Sequence, residues 1–187
     1  MAGIRDIAGT AKGRRLQMVP GNGTRPISDR AKQALFNVLG DQVEGAAVLD
    51  LFAGTGSVGI EALSRGAASA TFVERDRLAV ETVQSNLKVT GFASQARVVR
   101  SDVFIFLRND PKTGFDYLHI APPQYHDLWV EALTALEARP AWVNPDGLVV
   151  AQIDPLEFKP LPLQHLHPID QRRYGNTLLC FYERPGE

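Results

Sequence analysis

Apolar strand-like segments that alternate with helical segments limit the fold of this chain more than any other feature. Five strand-like segments lie between residues 47 and 153, namely AVLDLF, ATFVER, ARVVR, FDYLHI and GLVVAQI. Four helical segments separate them, namely SVGIEALSRG, DRLAVETVQSNLKVTG, DVFIFLRN and HDLWVEALTALEAR. Strands that are nearly all apolar and are separated by helices are typical of a parallel sheet covered on both faces. The pattern therefore predicts an α/β fold with a doubly wound, mostly parallel sheet.

The C-terminal part of the chain departs from this alternation. After GLVVAQI, the stretches PLQHLHPIDQRRYG and NTLLCFYER are both strand-like, and no helical segment lies between them. Two strands joined by a short turn form an antiparallel hairpin. We therefore expect such a hairpin, with its turn at Gly175-Asn176, to complete a seven-stranded sheet.

The N-terminal part contains two short β-like pieces, IRDIAG and RRLQMV, with Gly9 and Gly13 between them. This arrangement predicts a β-hairpin. The next segment, SDRAKQALFNVL, has apolar residues at helical spacing behind Ser28, which is a good N-cap residue. We therefore expect an N-terminal hairpin extension over residues 1–24 and a main domain over residues 25–187.

The composition is that of a globular protein. The chain has 187 residues, of which 44% are apolar and 22% charged. No apolar run approaches the roughly 18 residues that a membrane span needs, and the N-terminus lacks the apolar region of a secretory signal. The single cysteine, Cys180, lies in an apolar run, and no His or Cys residues have metal-ligand spacing. These observations predict a cytoplasmic protein without a membrane span or a metal site.

Charge is distributed unevenly along the chain. Residues 1–34 contain seven Lys and Arg against two Asp, a net charge of +5, so the remainder carries −6 to give the total of −1. Lys and Arg that neutralise phosphates supply the sequence-independent part of nucleic-acid affinity. The basic segment is therefore either an RNA-binding arm or a solvated surface hairpin. The candidate RNA-binding residues are Arg5, Lys12, Arg14, Arg15, Arg25 and Arg30.

A glycine-rich loop lies between the first strand-like segment and its helix. The sequence LDLFAGTGSVG contains the pattern G-x-G-x-x-G from Gly54 to Gly59, and Glu74 stands 20 residues after Gly54 at the end of the next strand. In this position the glycines and the carboxylate are typical of a site for a nucleoside-containing cofactor, with the carboxylate on the ribose hydroxyls.

Asp50 distinguishes between two such cofactors. It ends the first strand just ahead of the glycines. A carboxylate there would repel the phosphates of a dinucleotide but attract the ammonium and sulfonium groups of S-adenosylmethionine. Asp102, after the third strand, can either accept a hydrogen bond from an adenine amine or cap the following helix. The candidate cofactor-binding residues are Asp50, Phe52, Gly54, Thr55, Gly56, Glu74, Arg75, Asp102, Val103 and Ala121.

The turn IAPPQY follows the fourth strand. Pro122 and Pro123 lack backbone N–H groups, so they end sheet pairing and leave free carbonyl oxygens. Ligands bind at the carboxyl ends of strands in open α/β sheets. The turn therefore lies where a methyl acceptor would approach the cofactor.

The chain resembles the class I S-adenosylmethionine-dependent methyltransferases and, more narrowly, the bacterial 16S rRNA guanine-N2 methyltransferases. The resemblance rests on IRDIAGTAKGRRL, TRPISDRAKQALFNVL, VLDLFAGTGSVGIEALSRGA and RRYGNTLL. It implies methyl transfer to the exocyclic N2 amine of a guanine in 16S ribosomal RNA, either naked or in an assembling small subunit, and we expect a monomer. The candidate catalytic residues are Pro122, Pro123, Gln124 and Tyr125.

One motif departs from this family. Its members usually have Asp-Pro-Pro followed by Tyr or Phe, whereas here Ala121 takes the place of Asp and Gln124 precedes Tyr125. Either Gln124 replaces the lost acceptor, or His119 or His126 assists proton removal, or the site transfers methyl groups poorly. One alternative to a methyltransferase is an RNA- and cofactor-binding homologue without turnover, which Ala121 supports. Another is an NAD-dependent oxidoreductase, which the glycine pattern supports and Asp50 opposes.

Overall fold

A computed structural model describes residues 3–21 and 26–187. Its seven strands form one sheet in the order β3-β2-β1-β4-β5-β7-β6. The strands are β1 Ala47–Leu51, β2 Ser69–Glu74, β3 Ala96–Arg100, β4 Phe115–Ile120, β5 Val143–Ile153, β6 His167–Tyr174 and β7 Thr177–Glu183. Strands β1 to β5 pair in parallel, and β7 pairs antiparallel with both β5 and β6. The predicted doubly wound sheet and its C-terminal hairpin are confirmed.

The helices cover both faces of this sheet. They are α1 Asp29–Leu39, α2 Ser57–Ser64, α3 Arg77–Thr90, α4 Val103–Leu107 and α5 Leu128–Ala138. Alternate residues of a strand point to opposite faces. Val48 and Tyr117 accordingly pack with α1, α2 and α3, whereas Leu49 and Leu118 pack with α4 and α5. In the part of the chain that the structure describes, no helix has the length and apolar character needed to cross a membrane.

Strand β5 begins four residues earlier than the sequence pattern predicts. Asn144, Pro145 and Asp146 are typical turn residues, but the structure includes them in the strand. The pairing with β4 shifts its register between Phe115 and Tyr117, and Asp146 has a φ of 62°. A bulge therefore accommodates residues that the pattern assigned to a loop.

The N-terminal segment is less regular than a two-stranded ribbon. Arg5 and Arg15 form one antiparallel bridge, and the N–H of Leu16 donates to the carbonyl of Ile4 at 2.8 Å. The backbone between the arms bonds to α2 instead: the N–H of Ile7 donates to Glu61 at 2.9 Å, and that of Ala11 to Ser64 Oγ at 3.0 Å. The segment is thus attached to the helix that follows the glycine loop.

Candidate functional site

The carboxyl ends of β1 to β4 meet at one edge of the sheet, because these strands run parallel. Asp50 lies in β1, Glu74 ends β2, Asp102 precedes α4, and Ala121 follows β4. The structure therefore brings the strand-end residues that the sequence singled out to the common edge where open α/β sheets bind ligands.

The glycine loop turns from β1 into α2 with two residues in the left-handed region. Gly54 has a φ of 58° and Gly56 a φ of 79°. A Cβ atom at Gly59 would lie 2.4 Å from the ring of Phe72, so only glycine allows α2 to pack this closely on β2. At Gly54 the nearest neighbouring atom would be the Phe52 carbonyl oxygen at 4.0 Å. The loop thus packs tightly at Gly59 and leaves space beside Gly54.

Glu74 is bonded to the glycine loop. Its Oε2 accepts from the N–H of Gly54 at 3.0 Å, and its Oε1 accepts from the N–H of Asp76 at 3.0 Å. The side chain is half-buried. Each carboxylate oxygen has two lone pairs. Glu74 can therefore hold the loop and still accept hydrogen bonds from a pair of hydroxyl groups.

Asp50 is a buried carboxyl group without a cationic partner among the described residues. Its side chain is 2% exposed, and Oδ2 accepts from the N–H of Gly59 at 3.2 Å. Burial raises the pKa of Asp50 to about 8, the Gly59 hydrogen bond opposes that rise, and the charge of Glu74 adds to it. A bound cation would favour the ionised form. This arrangement fits the ammonium group of S-adenosylmethionine better than a phosphate.

Asp102 is the N-cap of α4, one of the two roles that its position allows. Oδ1 accepts from the N–H groups of Phe104 at 2.8 Å and Ile105 at 3.1 Å, and Oδ2 is not part of this cap. Phe52 adopts a left-handed φ of 60°, and its ring packs edge-on against Phe104 with the centroids 6.1 Å apart. Val103 is buried beside this pair. These groups form an apolar wall with one carboxylate oxygen at its rim.

The remaining two cofactor candidates differ in exposure. Thr55 is buried; its Oγ1 accepts from the N–H of Ser57 at 3.3 Å and its carbonyl from the side-chain amide of Asn86 at 2.9 Å. Arg75 is exposed at the end of β2. Thr55 therefore stabilises the loop from its buried side, whereas Arg75 is exposed to solvent.

The proline turn after β4 bends toward the end of β5. Pro122 is half-buried, and Pro123 and Gln124 are exposed. Tyr125 has a φ of 67°, which is an outlier for a bulky residue and costs about 1–3 kcal/mol. Its N–H donates to Glu157 Oε1 and its hydroxyl to Asp154 Oδ2, both at 2.7 Å. Two carboxylates thus hold both ends of a strained, 63% exposed tyrosine.

His119 is not available as a general base. It is fully buried, its Nδ1 contacts the Tyr117 hydroxyl at 2.7 Å, and its Nε2 contacts Gln152 Oε1 at 3.0 Å. Burial lowers the pKa of His119 to about 4, and the hydrogen bond to Gln152 Oε1 opposes this shift. A neutral ring with both nitrogens occupied has a structural role. His126, by contrast, is exposed in the turn.

The candidate RNA-binding residues that the structure describes lie on the surface, whereas Lys32, which was also counted as basic, is buried. Exposed positions are Arg5, Lys12, Arg14, Arg15 and Arg30, whereas Arg25 lies outside the described residues. Lys32, which contributes to the basic count, is fully buried; its Nζ donates to the carbonyl of Arg5 at 2.7 Å and to Ser57 Oγ at 3.1 Å, and lies 3.6 Å from Glu61. Asp6, one of the two acidic residues in the same count, is buried as well, so the burial of Lys32 does not lower the net charge of the exposed residues.

Sequence reasoning missed the residues that join the N-terminal segment to the cofactor edge. Asn86 is fully buried in α3 and bonds both to Gln17 and to the carbonyl of Thr55. Glu61 in α2 accepts from Ile7 and Ala8. A polar residue in the middle of an amphipathic helix gave no indication of a long-range partner.

Asp154 was missed for a different reason. The same rule that identified Asp50 and Glu74 applies to it, because it directly follows β5. The pattern QIDP thus carried a signal that could have been used. No group of three or more His, Cys, Asp or Glu residues within 3–21 and 26–187 could hold a metal ion.

The chain is similar to several known proteins. The model of a family described as conserved hypothetical protein 95 matches residues 4–183. The "Putative rRNA methyltransferase YlbH" of Bacillus subtilis is 38% identical over 185 residues, which is 98% of this chain and 100% of that protein. The "Ribosomal RNA small subunit methyltransferase D" of Escherichia coli is 38% identical over 80% of this chain and 74% of its own length. The solved structure titled "Putative methyltransferase yhhF from Escherichia coli" superposes with a TM-score of 0.86 and 33% identity, covering 100% of both chains.

Proposed function

The chain belongs to the family described as conserved hypothetical protein 95, and on that premise we propose that it methylates small-subunit ribosomal RNA with S-adenosylmethionine. The relative from Escherichia coli named as a small-subunit rRNA methyltransferase supports this substrate class. The more specific proposal is that the acceptor is the exocyclic N2 amine of a guanine in 16S rRNA, presented either as naked RNA or in an assembling subunit.

The buried carboxyl group of Asp50 carries the cofactor proposal. It lies beside the glycine loop and has no cationic partner among the described residues. The phosphates of a dinucleotide would oppose ionisation of this group and would bring no cation to pair with it. Asp50 would hold the ammonium group of S-adenosylmethionine, Glu74 its ribose hydroxyls and Asp102 Oδ2 its adenine amine.

The other candidate residues would line this cofactor site. When bound, S-adenosylmethionine supplies an electrophilic methyl group on a sulfonium. Residues proposed to surround it are Phe52, Gly54, Thr55, Gly56, Arg75, Val103 and Ala121. The space beside Gly54 and the edge-on pair of Phe52 and Phe104 support this assignment.

The proline turn would receive the guanine. The lone pair of an exocyclic amine is delocalised into the ring, so attack on a methyl group is helped by acceptors that orient its two hydrogens. Carbonyl oxygens of Pro122 and Pro123 would supply one acceptor. The exposed ring of Tyr125 would stack on a base that has been extruded from the RNA, and Gln124 lies beside it in the turn.

Ala121 favours a second candidate function, namely an RNA-binding homologue with little or no methyl transfer. Loss of one preorganised hydrogen-bond partner typically costs about 10²- to 10³-fold in rate. Transfer of a tritiated methyl group to small-subunit particles from a strain that lacks the protein separates the two. Efficient incorporation supports the methyltransferase, and binding without incorporation supports the second candidate.

A thermal-shift comparison tests the cofactor class. S-adenosylhomocysteine at saturating concentration should raise the melting temperature, because a ligand that binds only the folded state stabilises it. NADH should have no effect, since its phosphates would meet Asp50. A shift with NADH and none with S-adenosylhomocysteine would overturn the cofactor assignment in favour of an oxidoreductase.

The basic arm is expected to bind RNA through phosphates. Arg14 and Arg15 are exposed, and each phosphate contact adds about 0.7–0.9 to the slope of log affinity against log salt. The double alanine variant should therefore bind rRNA more weakly at low salt and show a slope smaller by about 1–2. Binding measured between 50 and 200 mM salt checks this. An unchanged slope would place the RNA surface elsewhere.

A further inference from the structure

We propose that Asp154 supplies the carboxylate that accepts hydrogen bonds from the guanine amine, the role that Ala121 cannot fill. This inference rests on the proposed function and assigns a further residue to the same site. In the related motif the carboxylate would stand at the end of β4; here it would come from the end of the neighbouring strand, β5.

The sheet places Asp154 beside the proline turn. Strands β4 and β5 are neighbours, with Ile120 opposite Ala151. Gln152 reaches across to His119, so their side chains lie on the same face of the sheet. Because side chains alternate along a strand, Ala121 and Asp154 continue that face beyond the two strand ends.

Contacts in the turn connect it directly to Asp154. The Tyr125 hydroxyl donates to Asp154 Oδ2, and the Tyr125 N–H donates to Glu157, which also accepts from the N–H of Asp154. On the far side of the turn, Lys159 pairs with Asp127 at 3.3 Å. The turn that contains the additional Gln124 is therefore bonded to residues 154–159 at several points.

The Asp154 side chain is suited to accept further hydrogen bonds. Its pKa is held below the usual value by the N–H of Leu156 and then by the Tyr125 hydroxyl, so the group is ionised at neutral pH. Oδ1 accepts from Leu156 at 2.8 Å and Oδ2 from Tyr125 at 2.7 Å. Each carboxylate oxygen retains a second lone pair, which matches the adjacent N1–H and N2–H donors of guanine.

Tyr125 would place the guanine base next to the Asp154 carboxylate. When a guanine stacks on the Tyr125 ring, the hydrogen-bonding edge of the base would lie above the hydroxyl end of that ring. Asp154 is bonded to this hydroxyl and would therefore lie next to the N2 amine. During transfer the N2 lone pair forms the bond to the methyl carbon, and the electrons of the broken sulfur–carbon bond remain on sulfur. The proton lost from N2 passes to the Asp154 carboxylate and then to solvent.

Four variants test this role by methyl transfer to rRNA under single-turnover conditions. Asp154→Asn should lower the rate about 10²- to 10³-fold, with unchanged affinity for S-adenosylhomocysteine. Tyr125→Phe, which removes only the hydroxyl, should lose about tenfold or less. Adding Ala121→Asp to Asp154→Asn should restore at least tenfold. The matched control is Asp170→Asn, a carboxylate on β6 that is also hydrogen-bonded, to Gln171 and Arg172, and it should transfer like wild type.

A purely structural role for Asp154 predicts a different pattern. If Asp154 only held Tyr125 in place, Asp154→Asn and Tyr125→Phe would have equal effects, their combination would be no worse, and Ala121→Asp would not rescue. That result, or an Asp154→Asn variant as fast as wild type, would overturn the inference. A wild-type protein that does not methylate guanine would instead overturn the proposed function, and the inference with it.

RNA binding gives a second readout that does not depend on turnover. Inosine lacks the N2 amine of guanine. In the presence of S-adenosylhomocysteine, wild type should bind an RNA fragment with guanine at the methylated position about tenfold tighter than the same fragment with inosine. Asp154→Asn should bind both equally, and retention of the preference by this variant would contradict the inference.

Discussion

Replacing Asp50 with asparagine is expected to abolish measurable binding of S-adenosylmethionine while the protein stays folded. The side chain is 2% exposed, so it would interact with a bound ammonium group in a site that excludes water. Removing one partner of a buried charge pair typically costs about 3–5 kcal/mol, or roughly 10²- to 10³-fold in affinity or more. Asparagine keeps the size of the side chain and can still accept from Gly59.

Isothermal titration calorimetry with S-adenosylhomocysteine checks this expectation. Glu183→Gln, a change at the end of β7 and remote from the cofactor edge, is the control and should bind like wild type. Affinity of Asp50→Asn within threefold of wild type would remove Asp50 from the cofactor site.

The same variant has an expected pH signature in the unliganded protein. The pKa of Asp50 is about 8 in the folded chain and about 3.9 when unfolded. Between these values the folded state keeps a proton that the unfolded state has lost, so this group's stabilising contribution declines as pH rises. Asp50→Asn should therefore gain melting temperature relative to wild type from pH 5 to pH 8. Parallel melting profiles would contradict a raised pKa.

Replacing Glu61 with alanine is the second change with a large expected effect. Glu61 is fully buried, accepts from the N–H groups of Ile7 and Ala8, pairs with Arg65 at 2.9 Å and lies 3.6 Å from the buried Nζ of Lys32. Its loss removes the ion-pair partner of the buried Lys32 ammonium group and leaves the N–H groups of Ile7 and Ala8 without their acceptor, so that Asp6, whose pKa is raised to about 8 by burial and by Glu61, is the remaining buried carboxyl group near Lys32. We expect a decrease of about 3–5 kcal/mol in the free energy of unfolding, measured by urea denaturation.

An exposed ion pair provides the matched control. Glu81 pairs with Arg77 at 3.0 Å in α3, and both side chains are more than half exposed. Glu81→Ala should cost less than about 1 kcal/mol. Limited proteolysis should also cut the N-terminal segment faster in Glu61→Ala, because the segment loses its bonds to α2. Equal stability of the two variants would show that the buried cluster contributes little.

The parallel part of the sheet was predictable because its strands are short, mostly apolar segments that alternate with helical segments. Short, mostly apolar runs indicated parallel strands. Because the carboxyl ends of parallel strands lie at one edge of the sheet, Asp50 and Glu74 were expected there. The predicted start of β5 at Gly147 was wrong because Pro145 and Asp146 are typical turn residues, and the bulge that includes them in the strand depends on pairing with β4.

The parts of the site that escaped prediction depend on tertiary contacts. Counting charges could not show that Lys32 is buried against Glu61, since the two are 29 positions apart and meet only when α1 packs beside α2. The position of Tyr125 depends equally on Asp154 and Glu157, which are distant in sequence. The periodicity of apolar residues locates the end of a strand or helix, but it does not show which side chains contact residues of a neighbouring element.

Nucleoside analysis of small-subunit rRNA decides whether the protein methylates N2 of a guanine. RNA from a strain that lacks this protein would be incubated with the purified wild-type chain and S-adenosylmethionine, digested to nucleosides and examined by mass spectrometry. We expect the N2-methylguanosine content to rise by about one per RNA on incubation with the protein. A methyl group on another base, or no incorporation by a protein that binds both S-adenosylhomocysteine and the RNA, would contradict it.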